Sequence, residues 1–206
     1  MSQLLPMFVE SLHLRPLQRL ERTVVGPGSW IERRPGWVAG DGELYATLLN
    51  TTEWHAARRR MYDRIVDVPR TLASLPEDGP GHPLVDEMST VLATRYGRDL
   101  SRISLAHYRD GRDSVAFHGD RLGRHRINSV VAVVSLGGPR RFLVRPRGGG
   151  RSISWTLGPG DLMVMGGRIQ ADFEHAVPKM ARAAPRMAVM FRSAAVVPPR
   201  TEAPLA

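Results

Sequence analysis

"SVVAVVSLGGPRRFLVRPRGGGRSISWTLGPGDLMVMGG", residues 129–167, is a series of short apolar runs broken by glycine. The breaks "GG" (137–138), "RGGG" (147–150) and "GPGD" (158–161) are turn chemistry. The runs between them alternate with a period of two or are apolar throughout, as strands do. They predict strands at Ser129–Leu136, Arg141–Arg145, Ser152–Leu157 and Leu162–Met165. Working outward, the same signal recurs at Ile103–Tyr108 and Val115–His118 on one side, and at Phe173–Val177 and Arg186–Arg192 on the other. Short strands in succession, with no helical pattern between them, argue against a parallel α/β sheet. They predict an α+β, mainly β chain built on a jelly-roll (double-stranded β-helix) barrel.

Upstream of Gly97 the period lengthens to that of a helix. Asp41 is the expected cap of a helix whose apolar positions are Leu44, Tyr45, Leu48 and Leu49. Pro83 opens a second, with Leu84, Met88, Val91 and Leu92 on one face and Gly97 ending it. Between them "WHAARRRMYDRIVDVPR" (54–70) mixes arginines with Trp54, Met61 and Tyr62, a composition suited to touching a ligand. Residues 1–40 read as an irregular arm with turns at "GPGSW" and "RPGW". The expected organisation is a single domain, with that arm part of it and 41–206 divided into a helical and lid part at 41–98 and the barrel at 99–193.

The 206 residues carry 29 Lys+Arg against 20 Asp+Glu, a net charge of +9 that favours polyanionic partners such as nucleic acid. Almost all of the positive charge is arginine, Lys179 being the only lysine. Cysteine is absent, which excludes disulfides, thiolate metal sites and cysteine nucleophiles, so any metal must be held by His, Asp or Glu. The start lacks a basic region ahead of an apolar core, and no segment approaches a membrane-spanning run. A cytoplasmic monomer is the expectation.

The chemistry gathers in "YRDGRDSVAFHGDRLGRH", residues 108–125. On a strand, side chains two apart share a face, so His118 and Asp120 can project together into a barrel mouth. The triplet alone is weak evidence, because chance supplies about 0.7 of them in a chain of this composition. A third ligand would come from a distant strand, where His175 in "FEHAVPK" is the candidate. Two imidazoles and a carboxylate on one side of an ion form the facial triad of non-haem Fe(II), with positions left for co-substrate and oxygen. On the last strand Arg186, Ala188, Met190 and Arg192 share a face, and an inward unpaired guanidinium is costly unless a ligand carboxylate meets it. A dicarboxylic co-substrate suits that arrangement. The same residues also admit structural histidines in a non-catalytic jelly-roll binding module, or a zinc or manganese cupin.

Together these segments resemble the AlkB family of Fe(II)- and 2-oxoglutarate-dependent dioxygenases, over roughly residues 50–193. The similarity runs through "HYRDGRDSVAFHGD", "VVAVVSLGGPRRFLVRPR", "GDLMVMGG", "FEHAVPK" and "RMAVMFR", in order. The resemblance implies Fe(II) held by His118, Asp120 and His175, with 2-oxoglutarate and O2 as co-substrates. It implies that Arg186 binds the far carboxylate of 2-oxoglutarate, that Tyr108 hydrogen-bonds the same co-substrate and that Arg192 lies near its iron-binding end. It places Arg60, Met61 and Tyr62 on the substrate lid. The implied activity is oxidative demethylation of N-alkylated bases, of the 1-methyladenine and 3-methylcytosine type, in single-stranded DNA or RNA (transfer RNA included), releasing formaldehyde, succinate and CO2. A flipped or single-stranded base, with Arg58–Arg60, Arg121 and Arg124 on phosphates, follows from that substrate. The chain departs from the family pattern at Ala106, Ala188 and Met190, and has Arg121 and Leu122 where the family has acidic residues after its His-x-Asp motif. An oxygenase of the same chemistry acting on a protein or small molecule is the alternative.

Overall fold

The computed structural model describes residues 10–61, 64–75, 82–120 and 127–193, with backbone alone for 57–61 and 64–68. The expected irregular arm instead contains four strands: β1 (His13–Leu14), β2 (Glu21–Gly26), β3 (Ser29–Arg34) and β4 (Val38–Ala39). Helix α1 (Asp41–Thr51) follows, capped by Gly40 in the left-handed region, not by Asp41. The Asp41 carboxylate instead accepts a hydrogen bond from the Gly137 backbone N–H at 2.8 Å, tying the helix start to the barrel.

The arginine-rich stretch 54–70, expected in the helical and lid part, forms a hairpin, β5 (His55–Met61) and β6 (Arg64–Ser74). Helix α2 (Pro83–Tyr96) then begins at Pro83 as expected, and Gly97 ends it with φ +59°. Next come β7 (Arg102–Tyr108), β8 (Val115–His118), β9 (Ser129–Gly137), β10 (Arg140–Pro146), β11 (Ile153–Leu157) and β12 (Asp161–Gly167). A short α3 (Ile169–Asp172), β13 (Phe173–Val177) and β14 (Arg186–Arg192) complete the order.

Among the described residues the strands make an eight-stranded sheet, β2-β3-β12-β9-β14-β7-β6-β5, facing a four-stranded one, β11-β10-β13-β8, while β1 and β4 pair as a separate two-stranded sheet. Neighbours distant in sequence, such as β14 between β9 and β7 or β13 between β10 and β8, give the double-stranded β-helix of a jelly roll. Strand β9 shows why its sequence is almost uniformly apolar. Val130, Ala132, Val134 and Leu136 pack on the helix side with Leu44, Leu48, Met88 and Leu92, while Val131 and Val133 point between the sheets with Phe142, Val144 and Met163. A strand buried on both faces has no polar side to alternate. Each such side chain withdrawn from water contributes about 1.5–3 kcal/mol, so the helices hold the large sheet rigid behind the barrel cavity.

One glycine is required by packing. Gly166 on β12 pairs with Trp30 on β3, and a side chain at 166 would overlap the indole ring. That contact lets the N-terminal strands extend the large sheet.

Candidate metal centre and anion pocket

The cavity between the sheets has a volume of about 270 Å³ and is lined by residues of β6, β7, β8, β9, β10, β12, β13 and β14. Pairing of β13 with β8 sets His175 directly opposite His118, and the chain leaving β8 carries Asp120 to the same point. The potential ligand atoms of His118, Asp120 and His175 all lie within 4.8 Å of one another.

Each member is prepared to donate. His118 Nδ1 lies 2.9 Å from the Ala116 carbonyl, which only accepts, so Nδ1 donates there and Nε2 is the ring nitrogen left for a metal. His175 is buried and stacks on Phe142 with ring centroids 5.4 Å apart. Burial pushes its imidazole pKa down to about 4 against the opposing pull of Asp120, so it is neutral near pH 7. Burial alone would raise the Asp120 carboxyl, but Arg192 and the two histidines outweigh it and hold the group below the usual carboxylate range.

The Asp120 contacts are one-sided. Oδ1 accepts from Arg192 Nε and Nη2 at 3.0 and 2.7 Å, whereas buried Oδ2 has no hydrogen-bond partner among the described residues and lies 3.9 Å from His175 Nε2. A buried carboxylate oxygen without a donor is expensive. Two imidazoles and this carboxylate bring their ligand atoms to within 4.8 Å of one another, a donor set that fits a divalent cation. Gln170 Oε1 accepts from the Asp120 backbone N–H at 3.1 Å, fixing the ligand's main chain as well.

Farther along the cavity Arg186 is almost wholly buried, 1 % exposed, and makes no ion pair among the described residues. Its Nε donates to Ser135 Oγ at 2.9 Å, and its guanidinium lies 5.2 Å from the centroid of the Tyr108 ring. Burial presses its pKa down, the direction expected of a cation awaiting an anion. The strand β14 brings Arg186 and Arg192 to one face with Ala188 and Met190, all four lining the cavity. Arg192 is spent on protein, however: besides Asp120 it donates to Ser104 Oγ at 2.7 Å.

Reasoning from sequence missed Arg140, which is as buried as Arg186. Its Nη groups donate to the carbonyls of Asp110, Asp113 and Pro178, and its guanidinium faces Tyr108 at 5.3 Å from the ring centroid. The signal was present: Arg140, Phe142 and Val144 alternate along β10, but the expected strand began one residue too late. Arg60 and Met61 lie at the end of β5 near the hairpin turn, with their side chains outside the described residues. Tyr62, Arg121, Leu122 and Arg124 also lie outside them.

Residues 46–196 match the family model described as "2OG-Fe(II) oxygenase superfamily". Among curated proteins the chain is 29% identical over 155 residues to the human alpha-ketoglutarate-dependent dioxygenase alkB homolog 3, and 28% to the Bos taurus one. Each of these alignments covers 69% of this chain and 50% of the relative. It is also 29% identical over 125 residues to the uncharacterized protein R406 of Acanthamoeba polyphaga mimivirus, covering 60% of this chain and 63% of that one. The chain thus spans about half the length of the alkB homolog 3 proteins. In fold it is similar to the solved structure of OsALKBH1, with a TM-score of 0.61, 13% identity, and coverage of 84% of this chain and 100% of that one. Because the family match runs from within α1 past the end of β14, it takes in every strand of the cavity wall, and the chain belongs to the 2OG-Fe(II) oxygenase superfamily, of AlkB type.

Proposed function

We propose that this chain is an Fe(II)- and 2-oxoglutarate-dependent dioxygenase that demethylates N-alkylated bases in DNA or RNA. One observation carries the reading: a single cavity holds both a three-residue metal donor set and, apart from it, a buried arginine with no acid partner among the described residues. The first suits the metal and the second the dicarboxylate for which the superfamily is named.

In this reading His118, Asp120 and His175 hold Fe(II) from one side. Arg186 and Tyr108 bind the far carboxylate of 2-oxoglutarate, a guanidinium and a phenol meeting its two oxygens. Arg192 clamps Asp120 through Oδ1, leaving Oδ2 for the metal, and lies near the iron-binding end of 2-oxoglutarate. Fe(II), 2-oxoglutarate and O2 together supply the oxidising equivalent that hydroxylates an N-methyl carbon, with loss of formaldehyde restoring the base. Leu72, Val133, Phe142 and Met165 line the cavity and keep water from the reacting centre. At the hairpin end Arg60, Met61 and Tyr62 touch the base or its backbone, and a net charge of +9 favours the polyanion. The names of the alkB homolog 3 relatives and the resemblance of the motifs both support this substrate class. The reading carries with it a single domain of which residues 1–40 are part, working as a cytoplasmic monomer. Among the described residues no helix is long and apolar enough to cross a membrane.

The test is mass spectrometry of single-stranded DNA and tRNA carrying defined N-methylated bases, incubated with Fe(II), 2-oxoglutarate and ascorbate. Loss of one methylene unit with wild type, and none with Asp120→Ala, is the expected result. Succinate formed without loss from any methylated nucleic acid would remove the substrate assignment and leave the oxygenase.

A further inference from the structure

We propose that Met190 is an oxidation site whose sulfoxide loosens the metal centre, making the protein's metal affinity sensitive to peroxide; the inference rests on His118, Asp120 and His175 holding a metal. Asp120 is held twice from outside that donor set: Arg192 donates to its side chain, and Gln170 accepts from its backbone N–H. Each of these two holders also donates to a methionine sulfur. Arg192 Nη2, 2.7 Å from Asp120 Oδ1, lies 3.4 Å from Met190 Sδ, and Gln170 Nε2 lies 3.9 Å from Met165 Sδ. Both methionines line the cavity, but they differ in access. Met165 is 1 % exposed, whereas Met190 is half-buried on the face of β14 that carries Arg186 and Arg192.

The strand makes the site selective. Met187, three residues earlier, belongs to the core on the helix side of the large sheet and is fully buried, as is Met163 on β12. Met180, in the connection between β13 and β14, is partly exposed but is not among the residues lining the cavity, so its oxidation leaves the metal ligands untouched. The oxidant is a peroxide, small enough for a cavity of about 270 Å³. The Met190 sulfur lone pair attacks one oxygen of hydrogen peroxide, forming the S–O bond as the O–O bond breaks. The proton on the transferred oxygen passes to the hydroxide that leaves, giving water. Sulfur loses two electrons and the peroxide gains them, so the step needs no metal and no further reactant.

The product competes for Arg192. A thioether is a weak acceptor, so the reduced side chain leaves the guanidinium to Asp120. A sulfoxide is polar, and its oxygen draws the same N–H groups far more strongly. The sulfur already lies 3.4 Å from Nη2. An oxygen placed between them, with its own hydrogen bond of about 2.9 Å, does not fit that gap, so the guanidinium is displaced from Asp120 Oδ1. The carboxylate loses the clamp that leaves Oδ2 for the metal, and metal binding weakens.

The experiment treats the full chain, freed of iron with a chelator, with graded hydrogen peroxide and stops the reaction with catalase. Tandem mass spectrometry then reads sulfoxide residue by residue, and electron paramagnetic resonance reads Mn(II) affinity. Trypsin releases Met187 and Met190 in one peptide, residues 187–192, so the first is an internal control for the second. Met190 is expected to oxidise about tenfold or more faster than Met187 and Met165, because susceptibility follows exposure. Mn(II) affinity should fall by about tenfold in step with Met190 sulfoxide, while Met190→Leu keeps its own untreated affinity within about twofold. Oxidation of Met190 no faster than that of Met187 overturns the inference. So does Met190 sulfoxide with Mn(II) affinity unchanged, or a loss of affinity in peroxide-treated Met190→Leu as large as in wild type; each of these leaves the metal centre and the demethylase reading intact. No Mn(II) binding by untreated wild type overturns the metal centre and this inference together.

Discussion

Arg192 grips Asp120 by one oxygen only. Nε and Nη2 both donate to Oδ1, at 3.0 and 2.7 Å, and Oδ2 is left facing His175. The carboxylate is thus oriented before any metal arrives, and its free oxygen lies 3.9 Å from His175 Nε2. Replacing Arg192 by Met removes this clamp while keeping its bulk. The affinity for Mn(II) or Co(II), titrated by electron paramagnetic resonance or visible absorption, should fall by about 10–100-fold, the range for loss of an outer-shell partner. An unchanged affinity would mean that Arg192 serves something other than the metal ligand.

Arg186 gives a prediction with two opposite signs. It is a buried cation with Ser135 and Tyr108 for company and no acid among the described residues. Arg186→Met removes an uncompensated charge, so the protein without co-substrate should keep its thermal midpoint or gain slightly. The same variant should lose the rise in midpoint that 2-oxoglutarate produces in wild type, because that rise reflects binding to the folded state. Differential scanning fluorimetry with Mn(II), with and without 2-oxoglutarate, reads both. A variant that melts much lower yet still responds to 2-oxoglutarate would show that the arginine's role is structural.

Much of this was legible from the chain itself, for physical reasons that also explain the failures. Strands β8 to β14 announce themselves because each is short, apolar on at least one face and bounded by Gly or Pro turns; β13 and β14 fall where alternation put them. The convergence of His118, Asp120 and His175 followed from strand periodicity and from the family-like order of motifs. Strand β2 was hidden because its first four residues are exposed, so "ERTVVG" has no buried face to advertise. Its partner β3 gains its place in the large sheet from Trp30 lying over Gly166, a contact 136 positions apart (166 − 30) that no local pattern encodes. Hairpin β5–β6 reads as polar loop because arginines dominate it, and its identity as sheet comes from pairing with β7 at Thr71–Ser74. Asp41 looked like a helix cap by residue type, yet the left-handed Gly40 does that work and frees the carboxylate for Gly137.

Arg140 bears on how the end of the barrel is held. Its guanidinium satisfies three carbonyls, from Asp110, Asp113 and Pro178, and so joins the β7–β8 and β13–β14 connections beneath Tyr108. Arg140→Met leaves those carbonyls short of donors and should cost about 2–4 kcal/mol in urea denaturation. Arg140→Lys, with one donor head in place of the planar fork, should recover only part of it. A loss below about 0.5 kcal/mol for Arg140→Met would show that solvent replaces the bonds without penalty.

The same connection carries a pH dependence. Asp113 is buried, and its Oδ2 accepts from the Arg109 backbone N–H at 2.9 Å and from Arg109 Nε at 2.8 Å, while Oδ1 accepts from Nη2 at 2.9 Å. The side-chain bonds from Arg109 hold its carboxyl below the ordinary value, against the opposing effect of burial. A carboxyl whose pKa is lower folded than unfolded contributes stability in full above the unfolded value, about 3.9, and loses it as pH falls through the folded one. Asp113→Asn cannot ionise, so it should be less stable than wild type near neutrality, and the gap should narrow as pH falls from about 6 toward about 2. Urea unfolding of both proteins across that range, followed by circular dichroism, measures the gap directly. A difference that stays constant with pH would assign the loss to packing or hydrogen-bond geometry, and the Asp113 charge would then play no part in holding the turn.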